Sequence, residues 1–201
     1  MDTINLILLI SLVLSFIANI PYAQKGLKSN IIKVKEKPST FLQSYPANTS
    51  AVILIFTVVS VFGTWTLTPE DIKGIVAFET LYYVRVVFLG VYILSLIGQY
   101  IAIKELGASH SQEILIYNNH KLVTSGIYKI LRHPQYLFQI LGDIAAGISL
   151  LSYIILPIAI IIELPLFFLR AKFEDKLLEK HFKGDYANYE KKTGSLLPFI
   201  G

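Results

Sequence analysis

Five apolar segments, separated by polar ones, dominate the pattern of hydrophobic and polar positions along the chain. We place them at roughly residues 4–20, 51–67, 81–103, 134–151 and 152–170. A helix needs about 20 mostly apolar residues to span a bilayer, with a range of about 17 to 25. The pattern therefore predicts an all-α integral membrane bundle of five transmembrane helices, in which a short turn joins the last two.

Lysine and arginine are distributed unevenly among the polar segments. Residues 21–50 contain five, residues 68–80 one, residues 104–133 four, and the chain from Arg170 onward seven. Cytoplasmic loops of membrane proteins carry an excess of these two residues. The distribution predicts an N-terminus outside the cell and places residues 104–133 and 171–201 together in the cytosol.

Composition agrees with this interpretation. Charged residues make up 16% of the 201-residue chain and hydrophobic residues 54%, with a mean hydropathy of +0.58. Soluble domains carry about 25% charged residues. We treat residues 1–201 as a single membrane domain, with three N-terminal spans in 1–103. Residues 104–201 hold the last two spans, the cytosolic tail and the candidate cofactor-binding and catalytic part.

The charge balance and the missing cysteines narrow the chemistry. A pI of about 9.1 would suit nucleic-acid binding, but the membrane topology already explains the positive charge, so no nucleic-acid partner is expected. The chain has no cysteine, which excludes disulfides, thiolate chemistry and cysteine-bound metal. We predict no metal site.

Three ionisable residues lie inside the predicted spans, where such groups are costly and are usually paired or functional. We expect Arg85 either to pair with Asp143 or to extend towards the outer surface, and the alternative role for Asp143 is contact with a substrate. Tyr136, Gln139 and Asp143 are spaced to share one helix face, which we expect to contact protein. No role is assigned to Glu163, the third ionisable residue.

The segment GIYKILRHPQYLFQ, residues 126–139, places Arg132, His133 and Pro134 where a polar segment meets the fourth span. Proline is favoured at the first position of a helix, and Arg132 suits a positively charged flank. A helix N-terminus also offers free N–H groups to a ligand, and a neutral His133 could hydrogen-bond to one. Spacing alone leaves both interpretations open. The same holds for Arg170, which is either an interfacial anchor or a ligand contact.

Several motifs taken together resemble the isoprenylcysteine carboxyl methyltransferase family, in its compact prokaryotic form. They lie between Leu106 and Pro198. They are the run HKLVTSGIY that begins at His120, the run RHPQY, the residues Arg170, Glu174, Asp175 and Leu178, the residues Phe182, Gly184, Tyr186 and Tyr189, and the run TGSLLP. Two departures are mild: Asp175 stands where the family commonly has Glu, and Ile127 where it commonly has Pro.

The resemblance implies S-adenosylmethionine as methyl donor, with S-adenosylhomocysteine as product. It also implies carboxyl O-methylation of a lipid-like or prenylated acceptor that enters from the bilayer. The implied catalytic residues are Arg170 and Glu174. The implied cofactor-binding residues are Lys121, Leu122, Val123, Gly126, Tyr128, Arg132, His133, Pro134, Tyr136 and Glu174.

Three alternatives stay open from the sequence: a phospholipid N-methyltransferase, an NADPH-dependent membrane reductase on a similar scaffold, and a non-enzymatic membrane scaffold. We expect an active site on the cytosolic face, in the cell membrane of a prokaryote or the endoplasmic reticulum of a eukaryote. Membrane lipids are expected neighbours. The natural acceptor and the oligomeric state do not follow from the sequence.

Overall fold

The structure is a computed structural model and describes residues 2–28, 34–68, 71, 74 and 77–198. The described chain is mostly helical, as the apolar pattern predicts. Its helices and strands are α1 (Thr3–Lys28), β1 (Val34–Glu36), α2 (Tyr45–Ser60), α3 (Phe78–Leu106), β2 (Ile116–Tyr117), α4 (Pro134–Ser149), α5 (Ile155–Ile158), α6 (Leu164–Phe182) and α7 (Gly184–Glu190). A π-helical turn, Ala159–Glu163, joins α5 to α6.

Helix α3 packs against α4 and α1 to form the centre of the bundle. Small residues let α3 and α4 approach each other closely, as is common between membrane helices. A Cβ added to Gly98 would lie 2.6 Å from the ring of Phe138, and one added to Gly142 would lie 3.4 Å from the Cβ of Ser95. The buried core of the bundle consists of Ile4, Leu8, Ile53, Val61, Leu89, Tyr92, Ala145, Ala146, Leu150, Ile155 and Ala159.

Many large apolar side chains on the outer faces of the helices are exposed rather than buried. Phe16 and Ile161, for example, are each 70% exposed, which suits contact with lipid tails. Among the described residues, three helical segments are long and apolar enough to cross a membrane: Thr3–Pro21, Phe41–Ser60 and Phe78–Leu106. Helix α4 has only 16 residues.

The predicted pair between Arg85 and Asp143 is wrong. Arg85 Nη2 lies 2.7 Å from Asp2 Oδ2 and donates to Asn5 Oδ1 at 2.9 Å, while its Nε donates to the carbonyl oxygen of Ser149 at 2.8 Å. Asp143 lies six residues before Ser149 on α4, which corresponds to roughly 9 Å along a helix. Arg85 therefore pairs at the end of the bundle where α1 begins and α4 ends.

A smaller layer covers the other end of the bundle, beyond the last turn of α3. Strands β1 and β2 pair antiparallel, with Val34 opposite Tyr117. Beneath them lies a second apolar cluster formed by Leu42, Ile114, Ile116 and Leu177, with Phe173 and Leu178 packed against it. This layer ties residues 34–44 and 110–117 to α6.

Candidate functional site

The segment before α4 is held in a conformation that glycine makes possible. Gly126 has a φ of +53°, and a Cβ there would lie 2.7 Å from the carboxyl carbon of Glu105. Only glycine adopts such a conformation readily. A 3₁₀ helix, Gly126–Lys129, follows it, and Pro134 then occupies the first turn of α4, as predicted. Gly126 thus shapes the chain that leads to His133.

The residues at this junction are bound to the C-terminal tail through their backbone groups. The backbone N–H of Arg132 donates to the carbonyl of Gly194 at 2.8 Å, and that of His133 donates to the carbonyl of Ser195 at 3.2 Å. The N–H of Gly194 in turn donates to the carbonyl of Ile130 at 3.0 Å. The N–H groups of Arg132 and His133 are therefore already paired with the tail and are not free to bind a ligand.

The side chain of Arg132 also turns towards the tail and α6. Its Nη1 donates to the carbonyl oxygens of Thr193 and Glu190, at 2.8 and 3.2 Å. Its Nη2 lies 3.2 Å from Asp175 Oδ2 and 3.3 Å from Glu190 Oε1. With its side chain only 2% exposed, Arg132 joins the helix junction to the tail.

Asp175 is the acceptor at the centre of this network. His133 Nε2 lies 2.7 Å from Asp175 Oδ1, and the Tyr186 hydroxyl donates to the same oxygen. Burial alone would raise the pKa of Asp175, but the contacts with His133, Tyr186 and Arg132 lower it to about 2. An ionised Asp175 fixes the orientation of the His133 ring.

Glu174 lies beside Asp175 and points to the other side of His133. Its Oε2 is 3.6 Å from His133 Nδ1, and its Oε1 accepts hydrogen bonds from the Tyr136 hydroxyl and, at 3.2 Å, from Arg170 Nε. The rings of His133 and Tyr136 are stacked, with centroids 5.4 Å apart. Glu174, His133 and Tyr136 thus form one wall.

Arg170 supports this wall from behind and is 3% exposed. Its Nε donates to the Tyr136 hydroxyl at 2.8 Å and to Glu174 Oε1. Its Nη1 donates to the carbonyl of Leu42 at 3.3 Å, and its Nη2 donates to the carbonyl of Gln112. Each guanidinium nitrogen already has a protein acceptor, so a bidentate contact with an incoming carboxylate would require these bonds to break.

The wall borders an open pocket between α3, α4, α6 and the β2 segment. Its lining residues are Leu106, Ser109, Ser111, Glu113, Ile114, Leu115, Ile116, His120, Tyr128, Arg132, His133, Gln135, Tyr136, Glu174, Leu177 and Leu178. Five residues implied by the resemblance thus line one pocket. The other five cofactor-binding candidates, Lys121, Leu122, Val123, Gly126 and Pro134, lie outside its lining, as does Arg170.

The opposite wall of the pocket was not predicted from the sequence. This wall comes from residues 106–116, and the run Ile114-Leu115-Ile116-Tyr117 is the one signal that could have revealed it. Such an apolar run within a polar segment indicates burial, and all four residues are buried.

His120, quoted in the resemblance but not assigned a ligand role, also lines the pocket. Its Nδ1 is buried and has no hydrogen-bond partner, and its ring is stacked on Tyr117 with centroids 6.0 Å apart. Burial lowers the pKa of His120, and the nearby His181 adds to that effect. A neutral imidazole with an unused nitrogen therefore borders the pocket.

Comparisons with known proteins agree with the motif resemblance. Residues 87–180 match the model of the isoprenylcysteine carboxyl methyltransferase (ICMT) family. A protein-S-isoprenylcysteine O-methyltransferase of Saccharomyces cerevisiae is 34% identical over 113 residues, which are 54% of this chain and 47% of the yeast protein. A probable protein-S-isoprenylcysteine O-methyltransferase of Oryza sativa subsp. indica is 27% identical over 121 residues, 59% of this chain and 63% of the rice protein.

The fold is also similar to a solved one. The eukaryotic intramembrane Ras methyltransferase ICMT, solved without a monobody, superposes with a TM-score of 0.57 at 21% identity, covering 77% of this chain and 52% of that protein. The chain thus spans about half the length of the solved protein and of the yeast relative. The resemblance to the ICMT family is confirmed for residues 87–180, and the chain has an ICMT-like membrane fold.

Proposed function

We propose that this ICMT-like chain is an S-adenosylmethionine-dependent membrane enzyme that methylates the carboxylate of a prenylated cysteine or a similar lipid-like acceptor. The observation that carries the proposal is one pocket at the head of α4, within the region that matches the family. His133, Tyr136 and Glu174, which the family motifs single out, form one of its walls.

The pocket contains groups that suit the polar and apolar parts of the donor. S-adenosylmethionine would supply the methyl group when bound. Glu174 offers a carboxylate to an ammonium group, and the unpartnered Nδ1 of His120 offers a neutral hydrogen-bonding nitrogen. Apolar side chains suit contact with an adenosyl moiety, and they come from Ile114, Leu115, Ile116, Leu177 and Leu178.

Methylation of a carboxylate places few demands on the protein. The nucleophile is already ionised at neutral pH, so the protein needs mainly to align the reactants and exclude water. Alignment of this kind can lower the activation free energy by about 7–11 kcal/mol at best. We infer that Arg170 is a positioning residue, because its Nε holds Tyr136 and Glu174 and its other two nitrogens donate to backbone carbonyls. Of Arg170 and Glu174, only Glu174 lines the pocket, where a ligand can reach it.

The five-span topology belongs to this proposal. Helix α4 and the helical run from Ile155 to about Arg170 would serve as the fourth and fifth spans of a single membrane domain. The excess of Lys and Arg in residues 104–133 and 171–201 favours the cytosol for the pocket. A water-soluble donor would enter from the cytosol and an amphiphilic acceptor from the bilayer.

Calorimetry on the detergent-purified protein tests the donor. We expect S-adenosylhomocysteine to bind saturably and NADPH not to bind. Binding of NADPH alone would instead support the reductase alternative. If a folded sample bound neither S-adenosylhomocysteine nor NADPH, both the methyltransferase and the reductase would be contradicted. Transfer of labelled methyl from S-adenosylmethionine to an S-prenylated cysteine, compared with a phospholipid amine, then distinguishes O- from N-methylation.

A further inference from the structure

A second cavity lies within the bundle, between α1, α2, α3 and α4. One part of its lining is apolar, and the other part consists of polar side chains. The apolar residues are Leu12, Phe16, Ala51, Leu54 and Leu96. The polar residues are Ser15, Asn19, Ser50, Thr57, Tyr92, Gln99, Gln139 and Asp143, with Gly142 between the last two.

Asp143 lines the polar side of the cavity, and Glu163 lies next to Asp143 but outside the lining. Asp143 Oδ2 accepts a hydrogen bond from Gln139 Nε2 at 2.7 Å, and the Asp143 carboxyl faces that of Glu163. Glu163 is completely buried, and its Oε1 accepts a hydrogen bond from the hydroxyl of Ser50 at 2.7 Å.

No cation offsets this pair within the cavity. Its lining, as far as the described residues show, contains neither Lys nor Arg, and Arg85 is engaged by Asp2. Burying a carboxylate without a partner is costly. Two further observations point to missing donors: Glu163 Oε2 and Asn19 Oδ1 are both buried and accept no hydrogen bond. Asn19 Oδ1 is thus an unused acceptor in the lining, and Glu163 Oε2 is a second unused acceptor beside Asp143.

The backbone around Glu163 supports a site here. Glu163 is the last residue of the π-helical turn, and turns of this kind inside α-helices occur frequently at functional sites. The extra residue of a π turn changes the direction of the side chains that follow. In this chain, it accompanies a glutamate that is buried and accepts a hydrogen bond from Ser50.

We propose that this cavity binds the protonated amino group of an amphiphile, with its apolar chain beside Phe16 and Leu54. An ammonium group has three donors and no acceptor, which matches a wall that carries a carboxyl group and an unused amide oxygen. A carboxylate or phosphate group would lie beside Asp143 with no Lys or Arg in the described lining to offset its charge. This site is separate from the donor pocket, and its occupation requires no methyl transfer.

Thermal unfolding of the full chain in detergent tests the site. Hexadecylamine, hexadecanol and palmitate share one chain length and differ in the head group, so each is added at the same mole fraction of the micelle. We expect the amine to raise the unfolding midpoint by several degrees and the other two to leave it nearly unchanged. Equal shifts with amine and alcohol would overturn the proposal.

Asp143→Asn and Glu163→Gln should each lose most of the shift caused by the amine. Glu79→Gln is the control, because it removes one carboxylate from an exposed position in the first turn of α3. A full amine response in both Asp143→Asn and Glu163→Gln would overturn the proposal. S-adenosylhomocysteine binding by the same samples reports separately on the proposed enzyme.

Labelling of the wild-type chain with a photoreactive long-chain amine tests the same site without variants, so it can be used even if the variants do not fold. In the wild-type chain we expect labelling of peptides around Leu12–Asn19 or Ser50–Leu54, with suppression by excess hexadecylamine. Labelling only at other helices, or no suppression by the competitor, would contradict the site.

Discussion

At the scale of single residues, the pairing of His133 with Asp175 explains why a histidine stands beside Pro134. Its Nε2 is engaged by Asp175, and its ring is stacked on Tyr136, so His133 presents a fixed face to the pocket. The family motif thus combines a structural contact with a wall of the candidate site. Spacing along the sequence cannot separate these two roles because both depend on α6.

Asp175 should make the protein sensitive to acid. Its pKa falls from 3.8 to about 2 in the folded chain, which corresponds to about 2 kcal/mol of stability. Because the folded pKa is the lower one, this contribution is present above about pH 4 and is lost as the pH falls towards 2. We expect Asp175→Asn to lower the thermal midpoint by roughly 4–8 °C at pH 7.

The difference between wild type and Asp175→Asn should shrink as the pH falls from 5 to 2.5. Thermal unfolding in detergent across that range measures it. Asp185→Asn provides the matched control, because Asp185 is exposed on α7 and carries the same charge. A difference that stays constant with pH would show that the Asp175 carboxylate is not the titrating group.

Glu174→Gln should weaken binding of S-adenosylhomocysteine by about tenfold or more, since a charge-assisted hydrogen bond becomes a neutral one. The amide can still accept from the Tyr136 hydroxyl, so the fold should be retained. Calorimetry gives the affinity and thermal unfolding the stability. Wild-type affinity in a folded Glu174→Gln protein would remove Glu174 from the donor site.

At the scale of elements, the contact between α3 and α4 depends on Gly98. Gly98→Ala would place a Cβ 2.6 Å from the Phe138 ring, so the ring or the helix must move, at a cost of about 1–3 kcal/mol. Gly90 lies on the same helix with no atom within 4 Å of such a Cβ. We expect Gly98→Ala to lower the unfolding midpoint and Gly90→Ala to leave it unchanged or slightly raised.

The apolar pattern predicted the helices better than the layer that covers their ends. It placed the start of α4 at Pro134, since proline and the change of polarity coincide there. It gave no indication of β1 and β2, which have three and two residues and therefore too little periodicity to detect. The Arg85 pair was also missed, because Asp2 reaches Arg85 only once α1 packs against α3.

At the scale of the whole molecule, the proposed topology has a direct test. The chain contains no cysteine, so single-cysteine variants can report which side of the membrane a residue faces. We expect Thr64→Cys, in the turn after α2, to react with a membrane-impermeant maleimide on intact cells. Lys192→Cys, beyond α7, should react only after permeabilisation. The opposite pattern would place the candidate pocket outside the cell.

The membrane class and the C-terminal part of the candidate site follow from the sequence, because apolar runs and clustered motifs are local signals. Residues 106–116 form the opposite wall of the pocket. The position of this segment depends on its pairing with β1 and on the contacts of Arg170 with Leu42 and Gln112. Those contacts join residues distant along the chain. Arg170 itself looked like a ligand contact, since sequence spacing does not show that its donors are already used.

The backbone pairing of Arg132 and His133 with Gly194 and Ser195 also sets a limit on biosynthesis. The apolar spans can enter the membrane as they leave the ribosome, but the junction before α4 has no pairing partner until residue 195 has been translated. A nascent chain would therefore be a membrane-inserted precursor in which the segment before α4 is not yet held by residues 194 and 195.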